Sequence, residues 1–297
     1  MAHQPRIGFA LGSGSARGWA HIGVLRALSE AGVKPDLIAG CSVGALVGAA
    51  FAAGRLDQLE AWALALDWRS MLRLLDIGLR GGLIKGERVA DFFREQFLEK
   101  EFSDLAIPFA AVATDVTSGQ EIWLREGKIS DAVRASIAVP GLFRPVVREG
   151  RYLVDGGVVN PVPVSLCRAM GADIVIAVDV SSGIVGRHAR RNRQDSRTQA
   201  GRHRLLGRLF PRRGDSTAEE GGTGVPPSML EALMGSIDVM QVRIARSRLA
   251  GEPPDVLLSP RLAHLGSLDY HRAEIAIAEG REAVTRMLPS VRDALPA

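Results

Sequence analysis

Residues 36–54 read DLIAGCSVGALVGAAFAAG, and the fold follows from how that stretch divides. Asp36–Gly40 is a short apolar run with the composition of a buried strand, and Val43–Ala53 is a run of small residues of helical length. Small side chains let a helix lie close against a sheet. Between the two, Gly40-Cys41-Ser42-Val43-Gly44 fits Gly-x-Ser-x-Gly, the pattern of a sharp strand-to-helix turn that lifts a serine hydroxyl above a sheet. The helix N-terminus beneath such a serine favours negative charge. The pentapeptide alone equally suits a serine N-cap at an ordinary strand–helix junction, so its meaning depends on its surroundings.

Upstream, Arg6–Leu11 reads as a second buried strand. Trp19–Ala31 reads as a helix with Ile22, Leu25 and Leu28 on one face and Gly32 as its stop. Strand, helix, strand, turn and helix at this spacing call for a parallel sheet with right-handed crossovers. The connecting loop, Gly12-Ser13-Gly14-Ser15-Ala16-Arg17-Gly18, offers successive N–H groups that can form an anion-binding nest. In acyl transfer such a nest holds the oxyanion. A dinucleotide pyrophosphate is the rival occupant, and it fits poorly. After Gly12 and Gly14 the third glycine belongs at residue 17, which is Arg, and Asp36 precedes the second strand instead of ending it.

Downstream the alternation continues. Arg88–Leu98 and Ser130–Ala138 read as helices, the second ending at Pro140-Gly141, and Phe109–Thr114 as a buried strand. Glu121–Leu124 pairs with a neighbour across the turn Thr117–Gln120. Pro145–Val154 forms a hairpin around Glu149-Gly150 and leads into Asp155-Gly156-Gly157. Asp173–Val180 and Asp255–Ser259 are strands, and Ser228–Leu249 and Ser267–Leu288 helices. Asp155 reads either as a carboxylate on a tight turn at a sheet edge or as an ordinary Asp-Gly turn. His264 and His271 read as surface residues near the closing helix. His21, one turn into the first helix, reads as packing or as a hydrogen bond to the nearby loop.

With 46% apolar and 24% charged residues in 297, the chain has the composition of one large α/β domain, here residues 6–295. Cys41 and Cys167 do not make a disulfide framework and read as reduced, buried thiols of a cytoplasmic protein. The apolar run Ile7–Leu11 is too short for a signal peptide, and Cys41–Gly54 is too short and too rich in Gly and Ala to span a bilayer. Membrane contact is therefore expected to be peripheral at most. Residues 187–213 carry ten Arg and one acid, a local balance of +9 in a chain of net charge +4, so the remainder is acidic overall. Residues 183–227 have the composition of a disordered insertion. It is either a solvated segment without a partner or one drawn to anionic membrane headgroups, at roughly 1 kcal/mol per charge. No fold motif or aromatic interleaving accompanies the charge, so no specific nucleic acid is expected. Nothing in the sequence specifies an oligomeric state.

Taken together and in order, the Gly-rich loop with its Arg, Gly-x-Ser-x-Gly and Asp-Gly-Gly resemble the patatin-like phospholipase family, especially its bacterial members. The likeness extends through LGSGSARGWAHIGVLRAL (11–28), GCSVGALVGAAFAAG (40–54), ASIAVPGLFRPV (135–146) and DGGVVNPVPV (155–164), and covers roughly residues 6–180. The resemblance implies a three-layer α/β/α sandwich around a mainly parallel sheet. It implies a Ser–Asp dyad without histidine, with Ser42 as nucleophile and Asp155 as base. The oxyanion hole would be the loop Gly12, Ser13, Gly14 and Ser15, with Arg17 adding positive charge nearby. The implied substrate is an acyl ester lipid, phospholipid or lysophospholipid, cleaved with no cofactor and no metal. Leu83, Leu142 and Phe143 are candidates to line an acyl channel, with core packing as their default role. Family loops often carry glycine where Ser13 and Ser15 stand, and serine resists φ > 0. If the loop requires φ > 0 there, the hole is strained, and a weak or inactive member acting as a binding protein becomes the alternative.

Overall fold

The computed structural model describes residues 4–67, 100–184 and 229–296. Within them eight strands form one sheet: β1 Ile7–Leu11, β2 Leu37–Cys41, β3 Phe109–Asp115, β4 Glu121–Leu124, β5 Val146–Arg148, β6 Arg151–Asp155, β7 Ile174–Val178 and β8 Val256–Leu258. The order is β5-β6-β3-β2-β1-β7-β8, with β4 also on β3. From β3 to β8 along that order the strands run parallel, while the pairings β3–β4, β3–β6 and β5–β6 are antiparallel. The helices are α1 Ala20–Glu30, α2 Val43–Ala52, α3 Leu56–Ala65, α4 Ile129–Ser136, α5 Val164–Ala169, α6 Met229–Gly251 and α7 Ala273–Ala294.

The central strands are apolar on both faces because both faces are covered. Phe9, Leu11, Ile38, Ala111, Ile176 and Val178 enter the larger core with side chains of α1, α2, α3, α4 and α7. The alternate residues Ala10, Ala39, Val112, Val175 and Ala177 enter a second core with α5 and α6. The result is the expected α/β/α arrangement. Cys41 and Cys167 are free thiols in that second core. Among the described residues no helix is long and apolar enough to cross a membrane.

Some expectations need correction. The helices α3 and α5 were not anticipated; each is short, and α3 buries only Leu56, Leu59 and Ala63. The closing helix begins at Ala273, not Ser267, because residues 265–270 are held by bonds to the loop after β1. It also runs through Pro289 to Ala294, past the expected end at Leu288. A helical proline forfeits one N–H bond, and the apolar stripe nevertheless continues to the fully buried Val291. The expected helix Arg88–Leu98, Leu83 and nearly all of 183–227 lie outside the described residues.

One detail of register positions everything that follows. Val112 is paired with both Cys41 and Trp123, and Ala113 with both Ile122 and Asp155. A strand residue has only two lateral sides, so β4 takes one edge of β3 while β2 and β6 share the other. β2 ends where β6 ends, and the residue after β2 is Ser42. The turn there is tight: a Cβ on Gly44 would collide with the carbonyl oxygens of Leu11 and Gly12, and one on Gly40 would meet the Ala45 backbone at 2.5 Å. Both glycines of the motif are thus required by space. Gly44→Ala is expected to lower stability in urea denaturation by about 1–3 kcal/mol. On the same helix a Cβ at Gly48 would first meet Ile38 Cγ2, at 3.0 Å. Gly48→Ala should change stability by less than about 1 kcal/mol, because helix propensity offsets the crowding.

Candidate active site

Ser42 has φ 55° and ψ −125°, a conformation that strains a non-glycine residue by about 1–3 kcal/mol. Its backbone is held from both sides. The N–H donates to Ser136 Oγ at 2.9 Å, and the carbonyl accepts from Ala45 and Leu46 at 2.9 and 3.2 Å. So constrained, the side chain projects from the strand-to-helix turn, and Oγ donates to Asp155 Oδ2 at 2.5 Å. The serine is therefore more than a helix cap, and it makes no side-chain cap bond to α2.

Asp155 ends β6 and opens a 3₁₀ turn, Gly156–Val158. The hairpin turn lies earlier, at Glu149-Gly150, so the Asp-Gly pair does not serve as one. Its second oxygen, Oδ1, accepts the Gly157 N–H at 2.7 Å. Its own N–H donates to Ala138 O at 2.9 Å, and its carbonyl accepts the Thr114 hydroxyl at 2.9 Å. The end of α4 thus holds both partners, through Ser136 on Ser42 and Ala138 on Asp155. Complete burial pushes the Asp155 carboxyl up from 3.8 to about 6, against the opposing hydrogen bonds from Ser42 and Gly157. Burial and the charge of Asp155 also push the Cys41 thiol well above its usual range, so the residue beside the serine is an inert thiol.

The Gly-rich loop packs against both turns. A Cβ on Gly18 would collide with Val43, and one on Gly157 would meet Ser13 Oγ at 2.9 Å. Gly12 N–H donates to Val178 O at 3.0 Å and Ser13 N–H to Pro161 O at 2.7 Å, while Ala16 and Arg17 N–H bond Ser267 O and Gly14 O at 3.1 Å each. The N–H groups of Gly14 and Ser15 have no acceptor among the described residues, nor has that of Val43 at the start of α2. Of the loop residues singled out from sequence, Gly14 and Ser15 are therefore the two with N–H groups free to receive an anion. Ser15 does adopt φ > 0, at 51°, whereas Ser13 does not.

The side chains of the loop and its neighbours hold this shape. His21 Nε2 lies 2.7 Å from Gly12 O. A carbonyl only accepts, so Nε2 carries the proton and Nδ1, buried without a partner, is bare. Burial lowers this imidazole to about 4. Arg17 is engaged by other parts of the chain. Its guanidinium is buried and spans Asp238 Oδ2 at 3.2 Å from both terminal nitrogens, Leu265 O at 3.0 Å and Ser267 Oγ at 3.4 Å. Its charge is thereby matched by Asp238. Ser13 Oγ donates to Gln241 Oε1 at 3.0 Å, and Ser13 O accepts from Ser181 Oγ at 3.1 Å. Burial, opposed by the nearby Ser15 side chain and aided by the charge of Asp155, pushes the Tyr270 hydroxyl up to about 12.

Ser136, Asp238, Gln241, Ser267 and Tyr270 are site residues that sequence reading passed over. Ser136 carries no signal beyond its place in ASIAVPG. Asp238 and Gln241 do carry one: they fall on the face of α6 that also buries Met234, Ile237, Val242 and Ala245, and polar residues in an apolar stripe need buried partners. His264 and His271 lie on the exposed surface. Leu142 and Phe143 are half-buried and pack on Val139, Met234, Ile237 and Leu268.

A family model described as patatin-like phospholipase matches residues 9–168, a span that takes in the loop, Ser42 and Asp155. An uncharacterized NTE family protein of Mycobacterium tuberculosis is 37% identical over 96% of this chain and 91% of its own length. Patatin-like phospholipase domain-containing protein 6 of Homo sapiens is 36% identical over 59% of this chain and 13% of its own length, so the likeness concerns a small part of that protein. A solved structure of VipD from Legionella pneumophila aligns with a TM-score of 0.46 and 14% identity over 97% of this chain and 67% of that one, too distant to inform the site.

The raised carboxyl of Asp155 makes stability depend on pH. A group that binds its proton more tightly when folded stabilises the fold below its unfolded value, and that contribution is lost as pH rises from 3.8 to about 6. At neutral pH the ionised, buried carboxylate costs roughly 3 kcal/mol. Asp155→Asn cannot ionise, so urea denaturation at pH 7.5 should find it more stable than wild type by about 1–3 kcal/mol. The difference should shrink towards pH 4. His21, depressed to about 4, destabilises both proteins as pH falls below 6.5 and cancels in the comparison.

Proposed function

The chain belongs to the patatin-like phospholipase family, which makes it a lipid hydrolase of the esterase kind, and on that premise we propose that it cleaves acyl esters with Ser42 as nucleophile and Asp155 as its base. The observation that carries this reading is the 2.5 Å bond from a strained serine hydroxyl to a fully buried carboxylate, beside a loop with two N–H groups free for an anion.

Asp155 Oδ2 takes the Ser42 proton as Oγ attacks the ester carbonyl carbon. The carbonyl oxygen becomes an oxyanion and accepts from the N–H groups of Gly14 and Ser15, with Val43 at the positive end of α2 adding a third donor. Collapse breaks the bond to the alcohol, which leaves with the proton from Asp155, and Ser42 is left acylated. Water then gives a proton to Asp155 and attacks the acyl carbon through a second oxyanion. That intermediate expels Ser42 Oγ, which recovers the proton as the fatty acid departs. A carboxyl near 6 suits both halves: it is ionised at neutral pH, yet basic enough to hold a proton in transit. An ordinary carboxylate at 3.8 would be the weaker base.

For the acyl chain, support comes from the apolar group around Val139, Leu142, Phe143 and Leu268. It begins one residue after Ala138, whose carbonyl holds the Asp155 N–H. A phospholipid or lysophospholipid presents such a chain. The arginine-rich stretch 187–213 adds, at the level of sequence, an attraction to anionic headgroups.

Hydrolysis of a short-chain chromogenic ester and of a lysophospholipid tests the reading. Ser42→Ala and Asp155→Asn should each lose about 10³-fold or more of turnover, with the folded state retained. Ser136→Ala, which only releases the Ser42 backbone N–H, should lose about tenfold. Full turnover by Ser42→Ala would end the proposal.

A further inference from the structure

The loop that offers Gly14 and Ser15 N–H groups is held on its N-terminal side by sheet and backbone bonds, from Gly12 and Ser13 to Val178 and Pro161. On its C-terminal side it is held by distant parts of the chain. Ala16 N–H reaches Ser267 O, and Arg17 N–H closes on Gly14 O. The Arg17 guanidinium is then pinned to Asp238 on α6 and to Leu265 O. Ser267 Oγ donates to the same Asp238 Oδ2 at 2.5 Å, so one carboxylate oxygen gathers Arg17, Ser267 and, through Ser267, the Ala16 N–H. Between the two anchored sides stands Ser15 at φ 51°, which a serine leaves when it is free to do so.

We propose that Asp238 is a positioning residue for the oxyanion donors: by fixing Arg17 and Ser267 it holds Ser15 in the left-handed region and so keeps the Gly14 and Ser15 N–H groups turned towards the reacting carbonyl. This rests on the assignment of the loop as the oxyanion hole. A purely architectural role accounts poorly for the residue. Asp238 lies on the buried face of α6 with Met234, Ile237 and Val242, where an apolar side chain packs without the desolvation that a carboxylate suffers. The same face meets the loop again three residues later, where Gln241 accepts from Ser13 Oγ. α6 therefore grips the loop at both serines' ends. In the segment that carries Ser267, Tyr270 O accepts from Trp19 Nε1 at 3.2 Å, just beyond the loop.

The test is turnover of a soluble short-chain ester by wild type, Asp238→Asn, and Asp238→Asn combined with Ser15→Gly, each normalised to sites titrated with a fluorophosphonate. Asp238→Asn, which keeps an acceptor for Arg17 but not the charge, should lose about 10- to 100-fold in kcat with KM changed by less than about threefold. Glycine takes φ > 0 without strain, so the added Ser15→Gly should restore at least about half of that loss on a logarithmic scale. Should Asp238→Asn fail to fold, Ser267→Ala leaves the ion pair in place and should lose about three- to tenfold in kcat, again restored by Ser15→Gly. An unchanged kcat in the folded variants, or a loss that Ser15→Gly does not touch, overturns the proposal and leaves Asp238 as a neutraliser of Arg17. Absence of Ser42-dependent turnover in wild type overturns instead the hydrolase reading on which it rests.

Discussion

The hydrogen bond from Ser42 to Asp155 joins residues 113 positions apart, and it exists because two strands share one edge of β3. β2 occupies that edge as far as Val112, and β6 takes over from Ala113. The end of a parallel strand and the end of an antiparallel one are thereby brought together. The first delivers the Ser42 hydroxyl on a tight turn, and the second delivers the Asp155 carboxylate on another. A register slip of one residue in either strand would turn the side chains to the opposite face and separate the pair. The remainder of the architecture reads as support for this juncture.

Much of that support works against local preference. Ser15 and Ser42 both hold φ > 0, and Asp155 is ionised without contact with water. Each is unfavourable alone, and each is over-determined by its surroundings, as strained functional residues are. Ser136 and Ala138 bind Ser42 and Asp155 from a single helix end, while Asp238, Ser267, Gln241 and His21 hold the loop. The site is thus assembled by parts of the chain from residue 12 to residue 270. The large core that binds α1, α2 and α7 to one face of the sheet supplies the stability that such strain consumes.

The elements nearest the motifs were legible in the sequence. RIGFAL, DLIAG and DIVIAVDV are apolar runs of the kind a doubly covered parallel strand carries, and Gly40-x-Ser42-x-Gly44 stands where strand gives way to helix. The order of the three motifs singles out Ser42 and Asp155, which the structure brings into contact, even though Asp155-Gly156 alone reads as a hairpin turn. Less legible were features set by contacts distant in sequence. The closing helix starts six residues after Ser267 because Leu265, Ser267 and Tyr270 are occupied by Arg17 and Trp19, and no local pattern records such an engagement. The pairing of Arg17 with Asp238 joins positions 221 apart, and the family resemblance implies for the arginine only a positive charge near the oxyanion hole. Short helices such as Leu56–Ala65 bury too few side chains to leave a clear period.

The central proposal is that the reactivity of Ser42 is governed by the buried Asp155 carboxylate, with no histidine between them. The most direct measurement is the rate at which a fluorophosphonate labels the protein, followed by intact mass between pH 4 and 8 with the adduct mapped to its residue. The account predicts a single adduct, on Ser42, formed at a rate that rises with ionisation of a group near 6 and almost vanishes in Asp155→Asn at every pH. An adduct on another residue, or labelling of Ser42 that keeps its rate and pH dependence in Asp155→Asn, would contradict it.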